Sequence, residues 1–477
     1  MKTAQSEPRA SRWPSQIKYI IGNEACERFS YYGMRSILAG YVTGAVLKGG
    51  LGQDADTGTG IIHLFVFVNY FMPLLGAWLS DKLLGRYHTI LWLSLFYCAG
   101  HGVLACSEWA GGVDGKTSCL FVGLALIAVG SGGIKPCVSA FIGDQFGHDQ
   151  NHLLQKAFGA FYWAINFGSF FSFLAIPWIK DRWGFGLAFG VPGILMAVAT
   201  FIFWLGTPHY ARVPPSRVTH AAGFFRVFWQ ALAARRSAGQ PFWDAALVRF
   251  SRREVDAARS VLPILGVFAL MPAFWTLFDQ VNSTWVLQGQ MMVPFELWGL
   301  TLGAEQMQSA NPVIVMLLLP LLTWCVYPRI GKLAAPLRRM SAGMFLGAIA
   351  YLVVAALQSR IEAGAHLCVL WQLAPYVILT TAEVLISTTG LEFAFREAAP
   401  EMKSTIMSFW LLTIAVGNLL VAGITKFLGG SAPGAHHASV STARFLLYAG
   451  ITLAVAVLFS IQSAFYRYRD EAAARGA

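Results

Sequence analysis

Residues 17–46 form an apolar run long enough to cross a bilayer, yet the run contains Glu24, Glu27, Arg28 and Arg35. Each ionisable residue near the centre of a membrane helix costs about 2.5 to 3.5 kcal/mol on insertion scales. At 100° per residue, Glu24, Glu27, Arg28, Tyr31, Tyr32 and Arg35 share one helix face, within an arc of roughly 140°. That face cannot meet lipid. It must turn into a bundle or a watery cavity, with carboxylates and guanidinium groups paired across a turn.

The remainder of the chain sets the same problem repeatedly. The composition is 56% hydrophobic and 12% charged, more apolar than the roughly 45–50% of a soluble domain. Runs long enough to span a bilayer recur at about 17–47, 58–80, 87–107, 119–143, 156–179 and 184–206. They resume at about 257–282, 311–333, 340–358, 370–395, 404–428 and 442–466. The sequence therefore predicts an all-α membrane protein with twelve transmembrane helices in two six-helix bundles, 1–206 and 257–477. Between them, residues 207–256 read as an arginine-rich cytoplasmic linker whose aromatic residues, Phe224, Phe225, Phe228, Trp229, Phe242 and Trp243, are spaced for amphipathic helices. This is the layout of the major facilitator architecture, in which two halves rock around a midplane site.

The net charge is +11, but Lys and Arg are spread through short loops and form no single basic face, so a nucleic-acid partner is not expected. With the N-terminus in the cytoplasm, external loops hold only Lys48, Lys116, Lys180, Arg182, Arg360, Lys426 and Arg444. The positive-inside bias thus puts both termini in the cytoplasm. The first run carries charges and lacks an A-x-A site, so no cleaved signal peptide is expected. The seven cysteines show no metal-ligand spacing; Cys106 and Cys119 flank one short loop and are read as free thiols in preference to a pair.

Several polar residues stand out. His63 and Tyr70 are seven apart on the second run and share a face. His63 stays open between a structural hydrogen-bonding role and a proton carrier beside a glutamate-rich neighbour. The Asp81 to Arg86 stretch suits a salt-bridged loop. Gly130-Ser131-Gly132-Gly133 lacks the strand and spacing of a phosphate loop and reads as close helix packing. Lys135, just after it, needs a carboxylate partner, and Glu24, Glu27 and Glu383 are the candidates. Asn166, Asp279, Asn311, Trp410 and the Gly417-Asn418 pair add polar or aromatic groups to other runs. Glu392 fits a helix-end ion pair with Arg396.

Together, E-x-x-E-R-F-x-Y-Y-G from Glu24, G-I-K-P-x-V-S-A-F from Gly133, Asp144-Gln145-Phe146, the Phe161-Tyr162 to Ser169 stretch, and Gly390-Leu-Glu-Phe with Met402-Lys403-Ser404 resemble the proton-dependent oligopeptide transporter family. His63, Phe278-Asp279-Gln280 and Glu392-Phe393 are similar to the animal peptide transporters. The resemblance implies a proton-coupled symporter importing di- and tripeptides, and peptide-like drugs, by alternating access. It implies no bound cofactor, the proton gradient being the energy source, and a monomer in the plasma membrane, or the inner membrane of a Gram-negative cell. Glu24, Glu27, Arg28, Lys135 and His63 would couple protons. Arg35 and Lys135 would face the peptide carboxylate, Asn166, Asn311 and Glu383 its amino terminus, and Tyr31, Tyr32, Tyr70 and Trp410 the pocket wall. Pairs Arg35–Asp279 and Lys135–Glu383 would gate the outer side. Two departures stand beside these: 207–256 lacks the apolar runs for the two extra helices of many bacterial members, and the first-run motif also occurs in relatives that move nitrate.

The residues support the same reading physically. A short peptide is a zwitterion, so cations on one wall and a carboxylate on the other bind it through its backbone. A carboxylate that loses its ion-pair partner in one conformation takes up a proton there. A facilitator for nitrate or organic anions is the first rival, and Glu383 argues against it. A sensor without transport is disfavoured by Lys135 with both first-run glutamates. An intramembrane enzyme is disfavoured because H-E-x-x-H and helical Ser-Lys pairs are missing; His436-His437 lie in a Gly/Ala/Ser-rich stretch.

Overall fold

The computed structural model describes residues 13–146, 150–215, 223–234, 241–331, 335–399, 402–429, 439–466 and 468. His436 and His437 lie outside these. Nearly every described element is helical. The helices are α1 (Ile17–Thr43), α2 (Ala55–Leu79), α3 (Gly85–Ala105), α4 (Gly112–Asp144), α5 (Asn151–Leu205), α6 (Phe224–Ala233), α7 (Arg252–Arg259) and α8 (Val261–Phe268). They continue as α9 (Pro272–Phe278), α10 (Thr284–Gln290), α11 (Ala310–Pro320), α12 (Tyr327–Ile330), α13 (Pro336–Glu362), α14 (Leu373–Glu397), α15 (Lys403–Gly429) and α16 (Thr442–Phe465).

Eight helical runs among the described residues are long and apolar enough to cross a membrane, or nine if the bent pair Arg252–Phe268 and Pro272–Gln290 is one span. In α5 the chain turns at Gly184, whose φ of 84° is available to glycine at little cost. The sequence predicted one unbroken span at 257–282. The structure instead bends it by 44°, with Pro272 opening α9, because proline cannot donate a backbone hydrogen bond to the preceding turn.

The all-helical expectation holds, with one short hairpin among the described residues. Phe295–Leu297 (β1) and Leu300–Leu302 (β2) form an antiparallel hairpin closed by Trp298 and Gly299, both at positive φ. A tryptophan in that conformation is unusual, so the stretch carries no Asn-Gly type hairpin signal.

The described chain divides into two compact units. Unit one comprises 1–54, 71–217 and 294–316; unit two comprises 55–70, 218–293 and 317–477. In unit one, α1 lies against α5, and α3 against α4. The glycines of α4 read as packing residues do that work: a Cβ on Gly130 would collide with the backbone of Leu93 and Tyr97 in α3. In unit two, α13 lies between α14 and α16. The amphipathic α6 sets Phe224 and Phe225 against Phe409 of α15, with ring centroids 5.9 and 5.8 Å apart. A capping box of Ser251 and Glu254 starts α7.

Candidate functional site

The charged face of α1 is buried as its cost requires. Glu24, Glu27, Arg28 and Arg35 are 3, 1, 8 and 4% exposed. The Arg28 guanidinium stands between two carboxylates, its Nε 2.8 Å from Glu24 and 2.6 Å from Glu27. One cation therefore serves two anions. A buried pair that loses one partner is destabilised by about 3–5 kcal/mol, so a proton on one glutamate, or a rival cation, is required whenever Arg28 moves off. A second cation is at hand: Lys135 Nζ sits 4.6 Å from the centroid of Tyr31, which in turn meets Tyr32 edge-on at 5.3 Å. This places the ammonium beside the same α1 face, and the face of an aromatic ring holds a cation without discharging it.

Asn166 on α5 donates to its own helix at Tyr162 O, 2.9 Å away. Asn311 opens α11 and clusters with unit one. Unit one thus gathers Glu24, Glu27, Arg28, Tyr31, Tyr32, Arg35, Lys135, Asn166 and Asn311.

A separate polar network fills unit two around His63. Asn418 Nδ2 donates to Asp279 Oδ2 at 2.6 Å and to Ile414 O at 2.9 Å, which turns its Oδ1 to His63 Nδ1 at 2.7 Å. An amide oxygen only accepts, so Nδ1 carries a proton. On the other side, His63 Nε2 lies 2.8 Å from Ser283 Oγ. In the neutral ring, Nε2 accepts from the serine. In the imidazolium, Nε2 donates and the hydroxyl can turn to Gln280 O, 3.4 Å away. The network accepts the ring in either charge state without moving a heavy atom. His63, Asn418, Asp279 and Ser283 are all at most 3% exposed. The partners of His63, Asn418 and Ser283, both in unit two, hold the two ring nitrogens.

Elsewhere in unit two, Trp410 is 2% exposed and meets Phe268 and Trp275 at 5.2 and 6.1 Å between centroids. Tyr70 and Glu383 are half-buried on α2 and α14. Glu392 pairs with Arg396 at 3.6 Å as expected, and also with Arg339 at 2.6 Å. The cysteines are all free thiols, Cys106 and Cys119 included.

Sequence reasoning passed over three features. His101, fully buried, bonds Ser30 of α1 at 2.9 Å. Ser283 follows the helix break, where no periodicity points to it. Lys180, read only as a loop charge, pairs with buried Glu305 at 2.5 Å.

Comparison with known proteins decides the class. The PTR2 profile of the POT family matches residues 87–433, well over half the chain. The chain belongs to the POT family. Among the relatives of this POT family member, rat "Solute carrier family 15 member 2" is 37% identical over 374 residues, covering 75% of this chain and 50% of the relative. "Peptide transporter family 1" of Drosophila melanogaster is 37% identical over 372 residues, covering 74% and 49%. The chain thus spans about half the length of these curated relatives. A solved "auto inhibited POT family peptide transporter" is 38% identical with a TM-score of 0.86, covering 95% of this chain and 98% of that one. A "proton dependent oligopeptide (POT) family transporter" is 40% identical with a TM-score of 0.75, covering 93% and 100%. The fold is therefore that of a helical POT membrane transporter.

Proposed function

We propose that this chain is a proton-coupled symporter that imports di- and tripeptides by alternating access. The observation that carries the proposal is the single Arg28 guanidinium shared by Glu24 and Glu27 inside α1, with Lys135 on the adjacent Tyr31 ring. Such a cluster is poised to exchange an ion pair for a proton. The peptide carboxylate competes for Arg35 and Lys135; the cation it draws away leaves a buried glutamate, which is neutralised by protonation. Glu383, with Asn166 and Asn311, receives the amino terminus, and Tyr31, Tyr32, Tyr70 and Trp410 shape the wall. Arg35–Asp279 and Lys135–Glu383 serve as outer gate pairs, and the His63 network gives Asp279 a partner when its gate pair is apart.

Twelve spans in two bundles of six are proposed with this mechanism. The runs Ala55–Trp109 and Lys156–His209 have 55 and 54 residues, each twice what one crossing needs. α1, at 27 residues, is long enough for one further crossing, its charged residues being Lys18, Glu24, Glu27, Arg28 and Arg35. Both termini are placed in the cytoplasm and the protein in the plasma membrane, as a monomer driven by the proton gradient.

The test is uptake of radiolabelled dialanine into proteoliposomes, with and without an inward proton gradient. Gradient-dependent uptake that an ionophore collapses supports the proposal. No uptake and no competition by peptides would reject it in favour of anion transport.

A further inference from the structure

Between the hairpin and α11, residues 303–309 form a turn that bonds to two other helices of unit one. Glu305 reaches Lys180 of α5 at 2.5 Å. Three residues on, Gln308 is 2% exposed. It donates through Nε2 to the backbone oxygen of Ser36 in α1 and to that of Glu305, each at 3.1 Å. Carbonyl oxygens only accept, so the NH2 group must occupy this side of the amide. Oε1 is left buried, without a hydrogen-bond partner among the described residues. As a filler of space the amide is a poor choice, because a buried oxygen without a donor carries a cost that an apolar chain of the same volume does not. What it contributes is the bond to α1, 272 residues away in sequence.

Both ends of that bond adjoin residues proposed above to face the peptide. Ser36 follows Arg35, the partner of the peptide carboxylate, and is itself fixed, its hydroxyl donating to Gly33 O at 2.7 Å. Asn311, a partner of the amino terminus, lies three residues beyond Gln308 in the same helical run, Gln306–Arg329. α5, held through Lys180, carries Asn166. The turn thus ties together three helices that meet the two ends of the substrate. An added residue lengthens an extended peptide by about 3.3–3.6 Å, and a hydrogen bond does not survive a stretch of that size.

We infer that Gln308 is a positioning residue that sets the length of peptide the site accepts. Its bond to Ser36 O fixes how far the start of α11, with Asn311, stands from Arg35. A short peptide spans that gap with the bond intact; a longer one must bend or break the bond. The inference rests on the peptide-transport reading and adds to it what limits the substrate. Gln308 acts only through Arg35 and Asn311, and does not itself touch the peptide.

The experiment is competition by dialanine, trialanine and tetraalanine against radiolabelled dialanine uptake into proteoliposomes, for wild type, Gln308→Met and Gln306→Met. Methionine keeps the side-chain length but cannot donate. A long peptide breaks the bond in wild type and has none to break in the variant. Gln308→Met should therefore lessen the preference for dialanine over tetraalanine by about two- to tenfold, the range of one net hydrogen bond. A merely structural role would weaken all three peptides alike. Gln306 is the control, since its Oε1 accepts from Gly303 N at 3.1 Å within the same turn, and Gln306→Met should leave the preference unchanged. Should Gln308→Met not fold, distances in the protein with Gln308 in place decide. Nitroxides carried by Leu47→Cys and Glu296→Cys, both exposed and both in unit one, should stand farther apart with tetraalanine than with dialanine. An unchanged preference in Gln308→Met, the same change in Gln306→Met, or equal distances with the two peptides overturns the inference. No dialanine uptake by wild type would overturn the transport reading itself, and this inference with it.

Discussion

His63 donates through Nδ1 to the amide oxygen of Asn418 at 2.7 Å, and the same amide donates to Asp279 at 2.6 Å. Asn418 therefore links an imidazole to a carboxylate through one amide group. A proton gained at Nε2 needs only a rotation of the Ser283 hydroxyl, so the ring can be charged without repacking its surroundings.

This relationship separates two roles for His63. His63→Gln retains a hydrogen-bonding side chain but cannot carry a proton near neutral pH. The expected result is loss of peptide accumulation against its gradient by tenfold or more, with counterflow exchange of peptide largely preserved. Accumulation equal to wild type would reduce His63 to a structural role. Ser283→Ala should have a smaller effect, because the neutral ring then leaves Nε2 without its donor, at about 1–3 kcal/mol for an unmet buried group.

The α1 cluster makes a second prediction. Glu24→Gln removes one anion from Arg28 and leaves Glu27 as its partner at 2.6 Å. Uptake should then lose its response to an inward proton gradient while peptide still competes for binding. A Glu24→Gln variant that concentrates peptide as wild type does would exclude Glu24 from coupling. Arg28→Met should be much more damaging, leaving two buried carboxylates without their shared cation, a change of about 3–5 kcal/mol or more.

Glu383 is tested by substrate chemistry. Glu383→Gln should weaken zwitterionic dipeptides at least tenfold but hardly affect N-acetylated ones, whose amino terminus is already neutral. Competition curves for dialanine and N-acetyl-dialanine make the comparison, and equal weakening of both would remove Glu383 from the amino-terminal role.

Much of this was legible in sequence because the membrane penalises charge so heavily. Four charges on one face of α1 announced a buried cluster, and the family motif then named its neighbours. The His63 network was not legible as a network. Its members lie at positions 63, 279, 283 and 418, on segments with no common periodicity, and the helix break near Pro272 that presents Asp279 and Ser283 hides inside one continuous apolar run. The hairpin at 295–302 was missed for a local reason, its turn being Trp298-Gly299, in which the tryptophan is not a residue that favours positive φ. Lys180 and Glu305 were invisible as partners because a lone loop charge ordinarily is solvated.

That last pair gives a prediction of pH dependence. Glu305 is 4% exposed and stands just before the run that contains α11. Burial pushes its carboxyl above the ordinary value, while Lys180 draws it back; Asp181, 3.1 Å from Lys180, is the other charged neighbour. A raised carboxyl favours the proton-bound folded state, so the stability it contributes is fully present below the ordinary carboxyl pKa and is lost as pH rises through the elevated one. The unfolding temperature of wild type relative to Glu305→Gln should therefore fall as pH rises through that window, and a parallel pair of curves would contradict it. Lys180→Met should destabilise by about 3–5 kcal/mol, because it strands the buried carboxylate. The double variant Lys180→Met/Glu305→Leu should recover most of that loss, since replacing both members of a buried pair is often near neutral. If the double variant were as unstable as Lys180→Met alone, the cost would lie in packing around the lysine and not in the stranded charge.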